Sequence, residues 1–301
     1  MYHGIVNVYK EKGMTSFDVV AKLRKICGQK KIGHTGTLDP EEEGVLPVCL
    51  GKATKVCDLL TDRDKEYITI LRLGIETDTQ DLTGNVIAQK DTAGLTPEMV
   101  SEAIRLFVGV QEQIPPMYSA KKINGKKLYE YAREGLEVER KPETITVYEI
   151  EILKMNLPEV TLRIACSKGT YIRTLCHDIG KMLQTGGAMA SLLRSRAAGY
   201  ALEDAHRLSE IAEIAEEGRL SELLQPIEDV FTDLPGVYSK PDYDSALMNG
   251  SKLPEEAFAK TMPHDGSSFR TYTSDGVFVG LYYYSAAEEI CRVKKLFLDR
   301  S

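Results

Sequence analysis

The chain has 301 residues, of which 43% are hydrophobic and 28% charged, a composition typical of a globular protein with material for more than one core. It contains no apolar run near the ~20 residues that a membrane-spanning helix needs, and its first residues lack the basic and apolar regions of a secretory signal. We therefore expect a cytoplasmic protein that does not enter the membrane.

The formal net charge of −7 argues against a uniformly basic surface, but the acidic residues are concentrated in one segment. Residues 203–229 contain nine acidic residues and two arginines, which accounts for the whole excess. Two basic clusters lie elsewhere, one at residues 22–31 and one at residues 121–141, where seven basic residues accompany four acidic ones. The acidic total therefore does not exclude an RNA-facing side.

Six cysteines are present and none of them belongs to a C-x-x-C pair. Their spacing fits neither a zinc site nor a disulfide framework, so we predict reduced, mostly buried thiols. We expect no metal and no cofactor.

The first half of the chain predicts strands around one helix and one long loop. A strand begins the chain, and a helix follows in which Thr15 and Asp18 form a capping box before Gly28 ends it. Residues 29–44 lack apolar periodicity and predict a loop. The run Val45–Leu50, with an internal proline, predicts a buried strand, and Tyr67–Leu73 is the clearest strand of the chain.

The second half predicts helices and strands, followed by a segment of different composition. Thr96 caps a helix whose inner face carries Val100, Ile104 and Val108. Strands at about 144–154 and 159–166, a helix at 171–183, a short strand at 191–196 and a helical acidic segment at 208–224 follow. From Leu234 onwards, regularly spaced glycines and prolines separate short β-rich runs, which predicts a small barrel or sandwich.

The loop from Lys31 to Pro40 is the segment most suggestive of function, since it places a histidine and an aspartate where the chain changes direction. Each residue alone also fits an ordinary turn, with Asp39 as a local cap before Pro40. Two other functions lack their motifs. The stretch Gly51–Thr54 has no upstream glycine for a phosphate loop, and no G-x-S-x-G sequence supports a serine hydrolase.

As a string, the loop resembles the signature of the TruB family of pseudouridine synthases. The likeness starts with GHTGTLDP at residues 33–40 and continues in the same order along nearly the whole chain. The further matches are GVLP at 44–47, GKATK at 51–55, KEY at 65–67, GTYIR at 169–173 and LLR at 192–194. Residues 248–253 and 275–281 resemble a PUA domain. Glu41, Glu42 and Glu43 depart from the small or apolar residues usual in the family.

The resemblance implies isomerisation of uridine to pseudouridine at position 55 in the T loop of tRNA, a reaction that needs no metal or cofactor. Asp39 is then the catalytic carboxylate, acting either as a nucleophile or as a base at the sugar. Arg173 matches the arginine that pairs with it and keeps it ionised. Tyr67 matches the active-site tyrosine, whose ring stacks on the uracil.

The resemblance also implies which residues bind RNA. His34 would stack within the rearranged T loop once bases have been turned out, Tyr171 and Leu193 would complete the pocket wall, and Lys55 matches a family lysine. Residues 118–142 resemble a mobile insertion that grips RNA. Its candidate phosphate contacts are Lys121, Lys122, Lys126 and Lys127.

Together these features predict an α/β (α+β) fold with a mixed, largely antiparallel sheet in a catalytic domain at residues 1–233, followed by a small PUA β-barrel at 234–301. We expect a monomer that binds the T arm of tRNA without a protein partner. Two alternatives remain open: an RNA-guided synthase, which the lack of basic tails disfavours, and a non-catalytic tRNA-binding or tRNA-folding protein on the same scaffold.

Overall fold

The computed structural model describes residues 1–298, which form a mixed α/β fold. The strands of this part are β1 (Gly4–Lys10), β2 (Ile32–His34), β3 (Glu43–Leu50), β4 (Lys65–Leu73), β5 (Ile75–Thr77), β6 (Val86–Gln89), β7 (Gly109–Gln113), β8 (Lys122–Ile123), β9 (Lys126–Lys127), β10 (Glu143–Asn156), β11 (Glu159–Cys166), β12 (Gly187–Ala197), β13 (Tyr200–Ala201), β14 (Gly236–Tyr238), β15 (Ser268–Tyr272), β16 (Phe278–Ser285) and β17 (Ile290–Leu296). The helices are α1 (Ser16–Ile26), α2 (Cys57–Thr61), α3 (Pro97–Arg105), α4 (Leu128–Arg133), α5 (Ile172–Met182), α6 (Leu208–Glu216) and α7 (Asp244–Met248).

One large sheet organises the chain up to residue 201. Its strand order is β1-β3-β12-β4-β11-β10-β7, with β13 attached to β12 and β2 attached to β3. All of these pairs are antiparallel except β3 with β12, where Leu193 lies beside Glu43 and Arg194 beside Gly44. The predicted mixed, largely antiparallel fold is confirmed. The parallel pair brings the start of β3, and thus the loop before it, next to β12.

Two apolar cores hold helices against this sheet. In the first, α3 and α5 pack on β4, β10 and β11, with Leu71, Ile104, Leu162, Ile164 and Ile179 among its buried side chains. In the second, α1 and α6 pack on β1 and β3. Each fully buried aliphatic side chain contributes roughly 1.5–3 kcal/mol. The second core therefore holds β2 and β3, which lie at the two ends of the loop that carries Asp39. The first core holds α5, which carries Arg173.

A second sheet, in the order β14-β15-β16-β17, begins at Gly236. Strands β14 and β17 are not paired with each other, so the described strands form an open sheet, and the predicted small β-barrel is not confirmed. Isolated bridges join Ser239 to Phe258 and Leu253 to Cys291. The remaining residues of the predicted C-terminal domain, 299–301, lie outside the described part.

The two sheets share an apolar core. Val56 and Leu60 from the first part and Leu281 and Phe297 from the second are buried in one cluster with Phe231. The Phe231 and Phe297 ring centroids are 5.8 Å apart. The second sheet is therefore packed against the first part of the chain.

Several local predictions are confirmed and others are wrong. The capping box of α1 and the Thr96 cap of α3 are present. However, α3 ends at Arg105, which leaves Val108 outside the helix and 46% exposed. The predicted loop at 29–44 contains β2, and the strands β5, β6 and β7 were not predicted. The acidic helix was predicted to extend to residue 224 but ends at Glu216, before Gly218, whose φ of +76° favours glycine. Among residues 1–298, no helix is long and apolar enough to cross a membrane.

Candidate active site

The loop between β2 and β3 is clamped to its surroundings at several points. Leu38 donates its backbone N–H to Ser16 Oγ at 2.9 Å, and Ser16 Oγ donates in turn to the Leu38 carbonyl. Gly44 has a φ of +113°, and a Cβ there would lie 2.3 Å from the Arg194 carbonyl oxygen. Only glycine permits this close approach of β3 to β12, which sets the position of the preceding loop.

Lys10 binds the loop through backbone carbonyl groups. Its side chain is fully buried, and Nζ donates to the carbonyl oxygens of Asp39 at 2.9 Å, Pro40 at 3.4 Å and Glu42 at 2.5 Å. Burial lowers the pKa of Lys10, although Glu42 opposes this effect. The loop therefore owes its conformation to a buried cation at the end of β1.

Asp39 is the exposed member of a buried ionic cluster. Its carboxylate forms an ion pair with Arg173, the second residue of α5. The Asp39 side chain is 45% exposed, whereas that of Arg173 is 11% exposed. Arg173 also faces Glu42 at 3.5 Å and Asp81 at 3.3 Å, and Nη1 donates to the Tyr118 carbonyl at 3.4 Å. One guanidinium thus fixes a carboxylate that stays accessible from the cavity.

Tyr67 lies beside this cluster on β4, directly opposite Arg194 on β12. Arg194 is fully buried; its Nε donates to the Val45 carbonyl at 2.7 Å and Nη1 to the Thr37 carbonyl at 3.3 Å. Burial raises the pKa of Tyr67 to about 12, with the charge of Arg194 acting in the opposite direction. The phenol therefore keeps its proton at neutral pH.

A cavity of about 760 Å³ opens above these groups. Its walls include Asp39, Tyr67, Tyr171, Arg173 and Leu192. Gln113 fixes Tyr171 by accepting its N–H at 2.8 Å and donating to its carbonyl at 3.1 Å. The cavity is in the size range of small-ligand sites, about 300–1,000 Å³, and it combines an anionic group with aromatic walls.

A second cavity of about 850 Å³ shares Asp39 and Arg173 with the first. It adds His34 on one side and Lys127 and Arg133 on the other. Burial lowers the pKa of His34, and its Nδ1 lies 3.0 Å from the Gly36 carbonyl oxygen. The imidazole is therefore neutral near pH 7, which suits stacking better than charge pairing.

Two residues predicted to bind the RNA line neither cavity: Leu193, predicted for the pocket wall, and Lys55. Leu193 is absent from the walls of both cavities, while Leu192 belongs to both. Successive side chains of a strand point to opposite faces of the sheet, and Leu192 is the one of the two that faces the cavities. Lys55 Nζ donates to the Leu296 carbonyl at 2.6 Å, and Lys55 lines neither cavity. It ties the first part of the chain to the C-terminal sheet.

The lysines of the predicted RNA-gripping insertion have different environments. Lys121 pairs with Glu143, and Lys126 pairs with Glu134 and lies over the Tyr131 ring. Lys122 is exposed on β8. Lys127 faces the second cavity together with Tyr129, whose ring also lies 5.2 Å from the Arg133 guanidinium. Of these four lysines, Lys127 is the one that lines either of the two cavities described above.

Four buried charged residues around Asp39 were not predicted: Lys10, Glu42, Asp81 and Arg194. Arg194 ends the LLR match at residues 192–194 but had no role assigned to it, and the other three lie outside the matched motifs. No motif predicted that Asp81 would lie near the loop, and Glu42 belongs to a run of three glutamates that resembles a solvated surface. The hint in the sequence was that this run of glutamates replaces the small or apolar residues usual in the family. Burial raises the pKa of Glu42 to about 7, against the lowering effects of Arg194 and Lys10.

The site therefore offers one accessible carboxylate, a protonated phenol and a cationic support, which suits attack on, or proton removal from, a sugar carrying a planar base. Within residues 1–298 no group of three or more His, Cys, Asp or Glu side chains could hold a metal ion.

Comparison with known proteins identifies the family. Residues 24–172 match the model of the TruB family pseudouridylate synthase N-terminal domain, and residues 173–232 match the tRNA pseudouridylate synthase B C-terminal domain. The tRNA pseudouridine synthase B of Lachnoclostridium phytofermentans is 48% identical over 98% of this chain and 100% of its own length, and that of Clostridium tetani is 42% identical over 93% and 94%.

Solved structures of two complexes also match over nearly the whole chain. A crystal structure of a Cbf5-Nop10-Gar1 complex matches with a TM-score of 0.73 and 28% identity, covering 99% of this chain and 86% of that chain. A structure of an H/ACA RNP bound to a substrate RNA containing 2'-deoxyuridine matches with a TM-score of 0.72 and 27% identity over the same shares. The extent of these matches shows that the chain belongs to the TruB family of pseudouridylate synthases.

Proposed function

We propose that this chain is an enzyme that converts uridine to pseudouridine in tRNA, and that its target is position 55 in the T loop. The observation that carries the proposal is the accessible carboxylate of Asp39, held by Arg173 at the floor of a cavity walled by Tyr67. The relatives at 41–48% identity over most of the chain are named tRNA pseudouridine synthase B, which supports both the reaction and the class of RNA.

The reaction breaks the bond between ribose C1′ and uracil N1, turns the base and joins C1′ to C5. The C5–H bond is then broken and N1 gains a proton, so that the product is an isomer of uridine. Asp39 acts at the sugar as nucleophile or base, and Arg173 keeps it ionised and correctly oriented. The Tyr67 ring supports the detached uracil by stacking, while its protonated hydroxyl supplies a hydrogen-bond donor. Tyr171 and Leu192 close the cavity around the base.

The target uridine must leave the base stack before Asp39 reaches its sugar, at a cost of a few kcal/mol. In the proposed complex the uridine enters the first cavity, and neighbouring nucleotides occupy the second, where His34 provides a stacking surface. Lys127 and Arg133, on the insertion at about 118–142, contact phosphates there. Residues 234–301 serve as a PUA-like RNA-binding domain.

Two other functions fit less well. A non-catalytic tRNA-binding protein would have no use for Asp39, Tyr67 and Arg173 arranged around one cavity. An RNA-guided synthase is the other alternative. The H/ACA RNP and Cbf5 complexes match this chain at only 26–28% identity, well below the tRNA pseudouridine synthase B relatives at 41–48%. We therefore propose a monomer that acts on tRNA in the cytoplasm without guide RNA or protein partner.

The test is incubation of the purified chain alone with an unmodified tRNA transcript, an isolated T-arm stem-loop and a transcript carrying cytidine at position 55. Pseudouridine mapping should find one modified position in the first two RNAs and none in the third. Binding of all three RNAs without any pseudouridine would instead support the non-catalytic alternative.

A further inference from the structure

Arg173 has more carboxylate partners than its single charge requires. Asp39, Glu42 and Asp81 all lie within 3.5 Å of the guanidinium. Asp39 is open to the cavity, whereas the Glu42 and Asp81 side chains are each only 12% exposed. Burying several like charges around one cation is unfavourable unless one of them carries a proton.

Glu42 contacts both parts of the Asp39–Arg173 pair. Its Oε2 accepts the backbone N–H of Asp39 at 2.8 Å, while its Oε1 lies 3.5 Å from Arg173 Nη2. The same nitrogen, Nη2, forms the ion pair with the Asp39 carboxylate. A negative charge on Glu42 would therefore compete directly with Asp39 for that nitrogen.

The charged groups around Glu42 come from every neighbouring element. Lys10 reaches it from β1, Arg194 from β12, Arg173 from α5 and Asp81 from the segment between β5 and β6. Lys10 Nζ bonds the backbone carbonyl of Glu42 at 2.5 Å and is not paired with its carboxylate. Burial, with a smaller contribution from Asp81, outweighs the two cations Arg194 and Lys10 and brings the pKa of Glu42 to about 7.

We propose that Glu42 is a positioning residue whose protonation state sets how firmly Arg173 holds Asp39. The protonated carboxyl still accepts the Asp39 N–H through its carbonyl oxygen and leaves Arg173 Nη2 to Asp39. The ionised carboxylate keeps the N–H bond but attracts Nη2, so that Asp39 loses part of its support. The inference rests on the proposed function, because it concerns the efficiency of that reaction.

The test compares single-turnover pseudouridine formation by wild type, Glu42→Gln and Glu42→Ala from pH 5.5 to 9 with saturating tRNA. The wild-type rate should fall by about three- to tenfold as pH rises through 7, where the ionised form of Glu42, with its weaker support of Asp39, replaces the protonated form. Glu42→Gln keeps an oxygen for the Asp39 N–H and has no ionisable group, so its profile should lack this fall. Glu42→Ala loses the oxygen as well and should be slow at every pH while binding tRNA normally.

Glu43→Gln is the matched control, because Glu43 is the next residue and lines neither cavity. Its side chain accepts the Tyr9 hydroxyl at 2.8 Å, a bond that glutamine retains. This variant should keep the wild-type pH profile. If Glu43→Gln also abolished the fall near pH 7, the effect would belong to the general charge of the loop and the role of Glu42 would be refuted.

A second measurement does not depend on RNA. The infrared difference spectrum between wild type and Glu42→Gln should contain a protonated-carboxyl band that disappears as pH rises through 7. An active wild type whose pH profile is unchanged in Glu42→Gln would overturn the inference alone. A wild type that forms no pseudouridine would overturn the proposed function, even if the band titrates as expected, and the positioning role with it.

Discussion

Replacing Arg173 by lysine tests whether the cluster depends on a planar, branched cation. The guanidinium simultaneously contacts Asp39, Glu42 at 3.5 Å, Asp81 at 3.3 Å and the Tyr118 carbonyl at 3.4 Å. Lysine keeps the charge but has a single nitrogen on a flexible stem. It can therefore hold one of the carboxylates well and must leave the others without a close partner.

The expected cost follows from these contacts. Removing one partner of a buried ion pair costs about 3–5 kcal/mol, because the remaining charge is left buried without a partner. Since lysine retains the charge, we expect Arg173→Lys to lower the free energy of unfolding by about 2–4 kcal/mol. If about 2.7 kcal/mol of this appears in the transition state, the rate falls about 100-fold.

Urea unfolding and single-turnover pseudouridine formation would measure the two effects. Arg163→Lys is the control, because Arg163 forms a half-exposed cross-strand pair with Glu151 on β10 and should change stability by less than about 0.5 kcal/mol. An Arg173→Lys variant that retains a rate within threefold of wild type would refute the claim that the branched guanidinium positions Asp39.

Four further outcomes are expected. Asp39→Asn should abolish pseudouridine formation yet bind tRNA within about 1 kcal/mol of wild type; measurable turnover would exclude Asp39 as the catalytic group. His34→Ala should weaken tRNA binding by about 1–3 kcal/mol, equally at pH 7 and 8 because its lowered pKa leaves it neutral at both; a pH-dependent effect would argue against stacking. Lys127→Ala should flatten the salt dependence of binding by about 0.7–0.9 in log–log slope, and Lys126→Ala by less because of its pairing with Glu134; equal slopes would place the RNA elsewhere. Finally, burial raises the pKa of Glu42 to about 7, so folding takes up a proton between about pH 4.5 and 7. The stability that this proton uptake provides is lost as pH rises through 7. In urea titrations Glu42→Gln should therefore gain stability relative to wild type as pH rises across that window, and a difference that is independent of pH would contradict this.

Local signals in the sequence were sufficient for much of the fold. The capping box of α1 and the Thr96 cap of α3 are interactions within four residues, so the residue types alone predict them. Strand β7 gave no comparable signal. It is the edge strand of the large sheet, with glutamines and a glutamate among its five residues, and its pairing with β10 depends on a segment about thirty residues away.

The same limit applies to the site. Asp39 and Arg173 were predicted because a family motif marks each of them, although they lie 134 residues apart. Glu42, Asp81 and Arg194 are charged residues whose burial arises only when β12, α5 and the segment after β5 come together. Sequence periodicity cannot predict this contact between distant elements. A charged residue has the same letter in the sequence whether it is buried or exposed, and only the positions of the neighbouring elements distinguish the two cases.

The core shared by the two sheets has a consequence for biosynthesis. Val56 and Leu60 leave the ribosome early, yet the side chains that cover them include Leu281 and Phe297, which are synthesised much later. During that interval the nascent chain exposes the apolar surface that the C-terminal sheet later covers. The amino-terminal part therefore has to remain soluble, alone or with a chaperone, until the C-terminal sheet emerges and covers it.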